Sequence, residues 1–348
     1  MSKGVRRRSF EVIKQLALAR FLRRRIPVKV VLQVTKHCPM RCNYCYTDFD
    51  AYNGLKDKTT KEVCAIIDDI YGRGARWLHL LGGEPTVRPD LGEIVDYAHG
   101  KNMFVDMNSN GILINERNVR DVLKLDAVAI SIDGDEESND YYRGRGNYRK
   151  ALEAVKLLRK HGMQVRIHAI LTRRTARKLD HMVKLAGEFD TSFNYAEVSH
   201  KQPDADDHIL TGAEAEEFYA KYIDYKKKGA PIAYSLAAMQ YRRRWPKTED
   251  LIMRRDEAHT FPADTYVRCL SGDIQCFLDI DGRMYACNGT WGDGLNVNEV
   301  GFQKAWDYLA ERRCIACRCI GGIELSLILG LHPRVLAHGV KSVLKIAK

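Results

Sequence analysis

From Val28 to about Ser199 the chain alternates short apolar runs with amphipathic helical stretches at a steady spacing. Strand candidates lie at 28–34, 76–81, 102–108, 126–132, 163–171 and 192–198, with helical segments near 60–73, 90–100, 115–123, 147–161 and 176–188. Runs such as Ala127-Val128-Ala129-Ile130 are apolar at every position, as a strand covered on both faces requires. Six strands alternating with helices admit few topologies. Each helix carries the chain back to the starting edge, so the strands run parallel in an α/β sheet.

Directly after the first apolar run, three cysteines fall within eight residues, in Lys36-His37-Cys38-Pro39-Met40-Arg41-Cys42-Asn43-Tyr44-Cys45-Tyr46. Thiolates are soft ligands that select iron–sulfur clusters, zinc or Cu(I). Three of them on a four-iron cluster leave one iron open to a substrate. A structural zinc site needs a fourth protein ligand. His37 is the nearest candidate, but neighbours in sequence rarely chelate one tetrahedral ion.

The C-x3-C-x-aromatic-C pattern resembles the signature of the radical S-adenosylmethionine (radical SAM) enzymes, and the resemblance extends past the cysteines. Gly82-Gly83-Glu84-Pro85 closes the second strand and is similar to the family's GGEP motif, whose backbone and glutamate hold the amino group of SAM. Asn108-Ser109-Asn110-Gly111 resembles the turn that ends the family's third strand, and Ser131-Ile132-Asp133-Gly134 the SxDG of members with auxiliary clusters. Tyr44 occupies the aromatic position found near the adenine. The resemblance implies an open, partial (β/α)6 TIM-like barrel with its chemistry at the C-terminal strand ends, where all these motifs fall. It implies a [4Fe–4S] cluster on Cys38, Cys42 and Cys45, with SAM contacts from Tyr44, Gly82, Gly83, Glu84, Pro85, Asn108, Ser131 and Asp133. It further implies reductive cleavage of SAM to a 5′-deoxyadenosyl radical that takes a hydrogen atom from a substrate. Arg143-Gly144-Arg145-Gly146 reads either as the RG segment of relatives or as an ordinary turn. His168 and Glu197, near strand ends, are candidates to face substrate, and His37 reads as a neighbour of the cluster rather than a ligand.

A second cysteine group lies at 269–319. Apolar alternation on both sides of Asp281-Gly282 is a hairpin signal. Cys269, Cys287, Cys314 and Cys317 resemble the ligands of the Twitch and SPASM extensions of this superfamily, a small cysteine-rich C-terminal domain. No cysteine follows Cys319, so one auxiliary [4Fe–4S] cluster is expected rather than two. Cys276 and Cys319 stay open as ligands, and a zinc knuckle from the same cysteines is the structural alternative.

The net charge of +11 is concentrated at the ends. Residues 1–29 hold ten Lys and Arg against Glu11 alone, and residues 331–348 hold Arg334, Lys341, Lys345 and Lys348 with no acid. The body between is close to charge balance, which excludes a basic nucleic-acid groove as the main feature. Arg6-Arg7-Arg8 loosely resembles a twin-arginine signal, but Glu11, Lys14 and Arg20 interrupt the apolar stretch, so export is not expected. Phe10, Ile13, Ala17 and Phe21 recur at helical spacing among basic residues, as on a helix lying in a membrane interface or packing on the barrel.

The chain is therefore expected to divide into a basic amphipathic segment (1–27), the barrel (28–225), bridging helices with the auxiliary-cluster domain (226–330) and a basic amphipathic tail (331–348). A cytoplasmic location is expected, with peripheral contact at the inner face of the membrane. The expected partners are an electron donor such as flavodoxin or ferredoxin and a lipid, other small molecule or peptide as substrate. Two readings from other classes compete. An iron–sulfur electron carrier would not need GGEP or a three-cysteine site, and a zinc-stabilised binding module would not need the six-strand pattern.

Overall fold

The computed structural model describes residues 2–47, 49, 52, 54–198, 208–245, 251–254, 256–261, 266–312 and 314–329. Helix α1 (Lys3–Phe21) leads into six strand–helix units: β1 (Lys29–Gln33), α2 (Thr60–Gly72), β2 (Trp77–Leu81), α3 (Leu91–Gly100), β3 (Phe104–Ser109), α4 (Val119–Val122), β4 (Ala127–Ser131), α5 (Glu136–Arg143), α6 (Asn147–Lys160), β5 (Val165–Leu171), α7 (Arg173–Ala176), α8 (Leu179–Glu188) and β6 (Ser192–Glu197). Strands β1 to β6 are parallel and adjacent in chain order.

Local chemistry explains the helix starts. Thr59 and Glu62 close a capping box on α2, Glu62 N–H donating to the Thr59 hydroxyl at 3.3 Å while Thr59 N–H donates to the Glu62 carboxylate at 2.7 Å. Val63, Ile67 and Ile70, on one face of α2, are buried against Leu32, Leu78 and Leu80 of the sheet. The opposite face of the strands differs from the expectation that both faces are apolar. Trp77, His79 and Asp106 are inward neighbours there: Trp77 Nε1–H donates to Asp106 at 2.7 Å, and His79 Nδ1 lies 2.9 Å from the same carboxylate. The inner face lines a lumen rather than a packed core, so polar side chains can pair there.

The chain continues through α9 (Gly212–Lys227) and α10 (Leu236–Arg243) to β7 (Ile252–Met253), then β8 (Gln275–Leu278), β9 (Arg283–Tyr285), β10 (Leu295–Asn296), α11 (Val297–Val300), α12 (Phe302–Arg312), β11 (Ala316–Cys317) and α13 (Ile320–Leu329). The hairpin expected at Asp281-Gly282 is present, with Leu278 opposite Met284. Gly282 adopts φ +92°, and a Cβ there would lie 2.3 Å from Asn298 Nδ2. This hairpin joins the barrel: β8 pairs parallel with β1, Val30 opposite Cys276, and the sheet runs β10-β9-β8-β1-β2-β3-β4-β5-β6. The division expected at 225/226 falls near the end of α9. The tail at 331–348 lies outside the described residues.

Helix α1 closes the N-terminal rim of the barrel. Val12 and Ala19 are buried in a cluster with Val28 and Ile274, against which Trp77, Phe104 and Leu325 pack. Arg8 donates to the fully buried carboxylate of Asp126, which also accepts from Val105 N–H at 2.9 Å and lies 3.1 Å from His99 Nε2. Burial alone would raise the Asp126 pKa. The bonds from His99 and Arg8 outweigh it and hold the carboxylate below its ordinary range. The stability this contributes is therefore present above the unfolded-state pKa and is lost as pH falls through the folded value. Asp126→Ala strands Arg8, His99 and the Val105 N–H together. It should cost about 3 kcal/mol in denaturant unfolding, whereas a loss below about 0.5 kcal/mol would show that α1 is held by its apolar contacts alone.

Candidate SAM and iron–sulfur site

The loop after β1 is held from two sides. On one side, Gly83 N–H donates to Thr35 O and Glu84 N–H to His37 O, both at 2.8 Å. The approach is so close that a Cβ on Gly83 would stand 2.3 Å from the His37 carbonyl oxygen, which is why this strand end carries glycine. On the other side, Tyr44 donates its hydroxyl to Asp133, and Arg143 Nε–H donates to the same carboxylate at 2.7 Å. Asp133 is fully buried and also accepts from Ile170 N–H at 2.8 Å. The Arg143 guanidinium lies 5.5 Å from the Tyr44 ring centroid, and Tyr142 packs on that ring at 5.1 Å. The Arg-Gly segment is thus an ion-paired clamp on the cysteine loop, and Asp133 is the hub of that clamp.

Glu84 is 1% exposed. Its carboxylate accepts from Ser109 Oγ–H at 2.8 Å, Asn110 N–H at 2.7 Å and Thr86 Oγ1–H at 2.6 Å. Burial raises its pKa, opposed by these donors. The side chain thus braces the end of β2 against the end of β3, while Oε2, bonded only by the Asn110 amide, keeps acceptor capacity. Ser109 and Asn110 were not singled out from sequence, although they lie in the turn that drew attention through Asn108. Asn110 reaches furthest: its Nδ2–H points at Cys38 Sγ, 3.8 Å away. Asn108 and Ser131 are half-buried at strand ends facing the lumen.

Cys38, Cys42 and Cys45 are all half-buried on this loop. Burial pushes the Cys38 thiol up to about 11 and Cys42 to about 12, each further raised by the neighbouring Cys45. Cys38 and Cys42 so placed become thiolates beside Cys45 only around a cation, which is the donor chemistry of a cluster. Three cysteines without a fourth protein ligand nearby in sequence fit a cluster with one open iron better than a structural zinc site, which needs four protein ligands.

The second cysteine group comes together from distant segments. Cys269 N–H donates to Ile315 O at 2.7 Å, and Ile315 N–H to Met253 O at 2.8 Å, pinning the run from Cys314 beside Cys269. The Cys269 thiol lies within hydrogen-bonding reach of Cys314 and Cys317, which lowers its pKa and raises theirs. Cys287 joins them. Burial pushes it up to about 12, and its sulfur neighbours are Cys269 and Cys319. Cys276 stands apart, 1% exposed in the β8–β1 core and raised by burial alone. Cys319 belongs to the gathering, on its barrel side, where it neighbours Glu197.

Glu197 does not stand free at the end of β6. Arg242 Nε–H and the Tyr219 hydroxyl donate to it at 2.6 and 2.8 Å. Burial would raise its pKa, but Arg242 and Arg318 outweigh it and keep the carboxylate ionised. His168 does face the lumen. Burial, then Arg143, lowers its pKa to about 4, so the ring is neutral. Asn194 Nδ2–H donates to its Nδ1 at 3.0 Å, which places the proton on Nε2. Above the barrel mouth, Tyr142, Arg173, Arg174, Arg177, Lys178 and His208 line an open cleft.

The comparisons bear on this geometry. The radical SAM superfamily model matches residues 32–186. The AdoMet-dependent heme synthase of Nitratidesulfovibrio vulgaris is 26% identical over 291 residues, covering 80% of this chain and 78% of that protein. PqqA peptide cyclase of Bradyrhizobium diazoefficiens is 28% identical over 169 residues, but the chain spans only 44% of its length. In fold, the chain is similar to Streptococcus suis SuiB bound to its precursor peptide SuiA. That match has a TM-score of 0.64 at 17% identity, over 86% of this chain and 70% of that one. The loop of Cys38, Cys42 and Cys45, the Gly82-Gly83 turn and the strand ends that hold them thus lie in a domain of the radical SAM superfamily.

Proposed function

We propose that this chain is a radical SAM enzyme that holds a [4Fe–4S] cluster on Cys38, Cys42 and Cys45, cleaves S-adenosylmethionine reductively and removes a hydrogen atom from a substrate at the barrel mouth. The observation that carries the reading is that the loop bearing the three cysteines is anchored at one layer of strand ends, by the Gly83 and Glu84 amides on one side and the Tyr44–Asp133–Arg143 clamp on the other. When bound, the cluster supplies the electron that breaks a carbon–sulfur bond of SAM. Tyr44 offers its ring to the adenine; the main chain from Gly82 to Pro85 receives the amino group; Asn108 and Ser131 face the remainder of the ligand. Asp133 acts through Tyr44, holding its ring in place.

Cys269, Cys287, Cys314 and Cys317 would hold one auxiliary [4Fe–4S] cluster, which when bound would supply a one-electron acceptor for an oxidation or a bond formation. A small carrier such as flavodoxin or ferredoxin supplies the first electron. We assign the substrate to the peptides, supported by the relation to a peptide cyclase and the fold shared with a protein solved with its precursor peptide. A second reading, an anionic small molecule, rests on the heme synthase relative alone, because in the cleft Arg173, Arg174 and Lys178 are paired with Glu214, Glu137 and Asp135. Two buried groups suit a polar moiety in either case: the Gln33 amide and Asn194 Oδ1 have no protein partner. The lipid expected from the basic chain ends gains nothing from the relatives. No helix among the described residues is long and apolar enough to cross a membrane, and peripheral contact rests on α1.

Anaerobic reconstitution should give about eight irons per chain, from two four-iron clusters. Changing Cys38, Cys42 and Cys45 together to Ala should leave about four and abolish 5′-deoxyadenosine formation under dithionite, measured by chromatography. Cys276→Ala should leave the iron count unchanged, because that side chain belongs to the core. Stoichiometric zinc in place of iron would refute the assignment.

Changing Cys314 and Cys317 together to Ala should spare the SAM-binding cluster, whose ligands lie elsewhere. SAM should still be cleaved slowly while substrate turnover is lost. Full product yield from a protein shown to hold only four irons would remove the auxiliary group from the reaction.

A further inference from the structure

We infer that the outer face of α1 is a docking surface for an anionic phospholipid membrane. Seven large hydrophobic side chains are exposed among the described residues, and five of them belong to this helix or the residue after it: Phe10 (62%), Ile13 (60%), Leu18 (40%), Phe21 (74%) and Leu22 (55%). A single helix has spent its inner stripe on the barrel and kept a second apolar stripe in water. Val12, Leu16 and Ala19 face the barrel, and Phe10, Ile13 and Phe21 lie on the other side. Isolated exposed hydrophobic residues need no explanation; a continuous stripe of this kind does.

Charge says what covers it. Arg6, Arg7, Arg20, Arg23 and Arg24 are exposed around the stripe, and none forms an ion pair among the described residues. An apolar stripe between unpaired arginines matches an anionic interface, whose acyl boundary takes the aromatic rings while its headgroups take the guanidinium groups. The obvious occupant from within the chain is excluded by the same charge. Residues 331–348 hold four cations and no acid, so like charge opposes their covering a stripe bordered by arginines.

The helix is also rigidly placed. Its seat includes Trp77 and Phe104, the first residues of β2 and β3, and Arg25 beyond it donates to Gly272 O at 2.8 Å. The cysteine loop sits at the opposite rim. Docking through α1 therefore turns the barrel mouth away from the lipid, and substrate enters from the aqueous side.

The test is co-sedimentation of the full chain with vesicles of phosphatidylcholine alone and of equal parts phosphatidylcholine and phosphatidylglycerol. Binding should be confined to the anionic vesicles and weaken as salt rises. The Phe10→Ser, Ile13→Ser, Phe21→Ser triple variant removes only exposed side chains, and an unchanged circular-dichroism melt will show that it folds. It should lose at least tenfold in partitioning. Arg6→Gln with Arg7→Gln and Arg20→Gln should lose about a hundredfold, near fivefold per cation. Three results would each overturn the proposal: no binding to anionic vesicles at low salt, binding undiminished in the apolar variant, or a dimer in sedimentation velocity that the apolar variant dissolves without any vesicle binding. Equal affinity for a polyanionic RNA, independent of Phe10 and Phe21, would replace lipid by simple charge adhesion.

Discussion

The geometry of the site depends on the close contact between the end of β2 and the loop that leaves β1. Two backbone hydrogen bonds, from Gly83 and Glu84 to the carbonyls of Thr35 and His37, fix where the loop begins. At Gly82 and Gly83 a Cβ would stand 2.5 and 2.3 Å from the Thr35 and His37 carbonyl oxygens, so the loop's position depends on those two glycines. The far end of the loop is fixed by electrostatics instead. A fully buried Asp133 gathers Tyr44, Arg143 and the Ile170 amide, tying the loop to β4, α5 and β5 together. A buried carboxylate is costly unless paired and hydrogen-bonded, and this one has both. The cysteines between the two anchors need make no contribution to holding the loop.

The second cysteine group rests on a different device. Its segments are far apart in sequence and meet because β8 adds to the open edge of the barrel sheet at β1. That pairing carries the β8–β9 hairpin, and with it Cys287, to the side where Cys269 and the Cys314–Cys319 run are pinned by backbone hydrogen bonds. On the barrel side of this second group lies the buried Glu197–Arg242–Tyr219 set, with Cys319 against it, which ties the end of β6 to the cysteine-rich segments.

The two rims of the barrel differ. At the C-terminal rim are the thiols, the clamp and an open cleft; at the N-terminal rim is a helix held inward by Arg8–Asp126 and exposing apolar side chains outward. The lumen between them is polar, with Asp106 drawing in Trp77 and His79 and a neutral His168 beside Asn194. A hydrophobic plug would have separated the rims more simply. Polar pairs leave room for polar groups from above.

Much was legible in the sequence because it is local. Periodicity placed the six strands within a residue or two of where they lie, the Asp281-Gly282 hairpin follows from turn chemistry, and the three-cysteine spacing with its accompanying strand-end motifs named the superfamily. What tertiary structure decided is everything that joins distant residues. Cys276 and Cys319 are indistinguishable as letters, yet pairing with β1 buries one in the core while the turn after β11 sets the other among the sulfurs. Glu84 reads as a ligand contact from sequence; that Ser109 and Asn110, brought over from β3, also bond its carboxylate could not be read there. The outer stripe of α1 was visible as a pattern; that it faces water, while Val12 and Ala19 take the seat, depends on which face the barrel rim could pack, and helical spacing alone carries no such information.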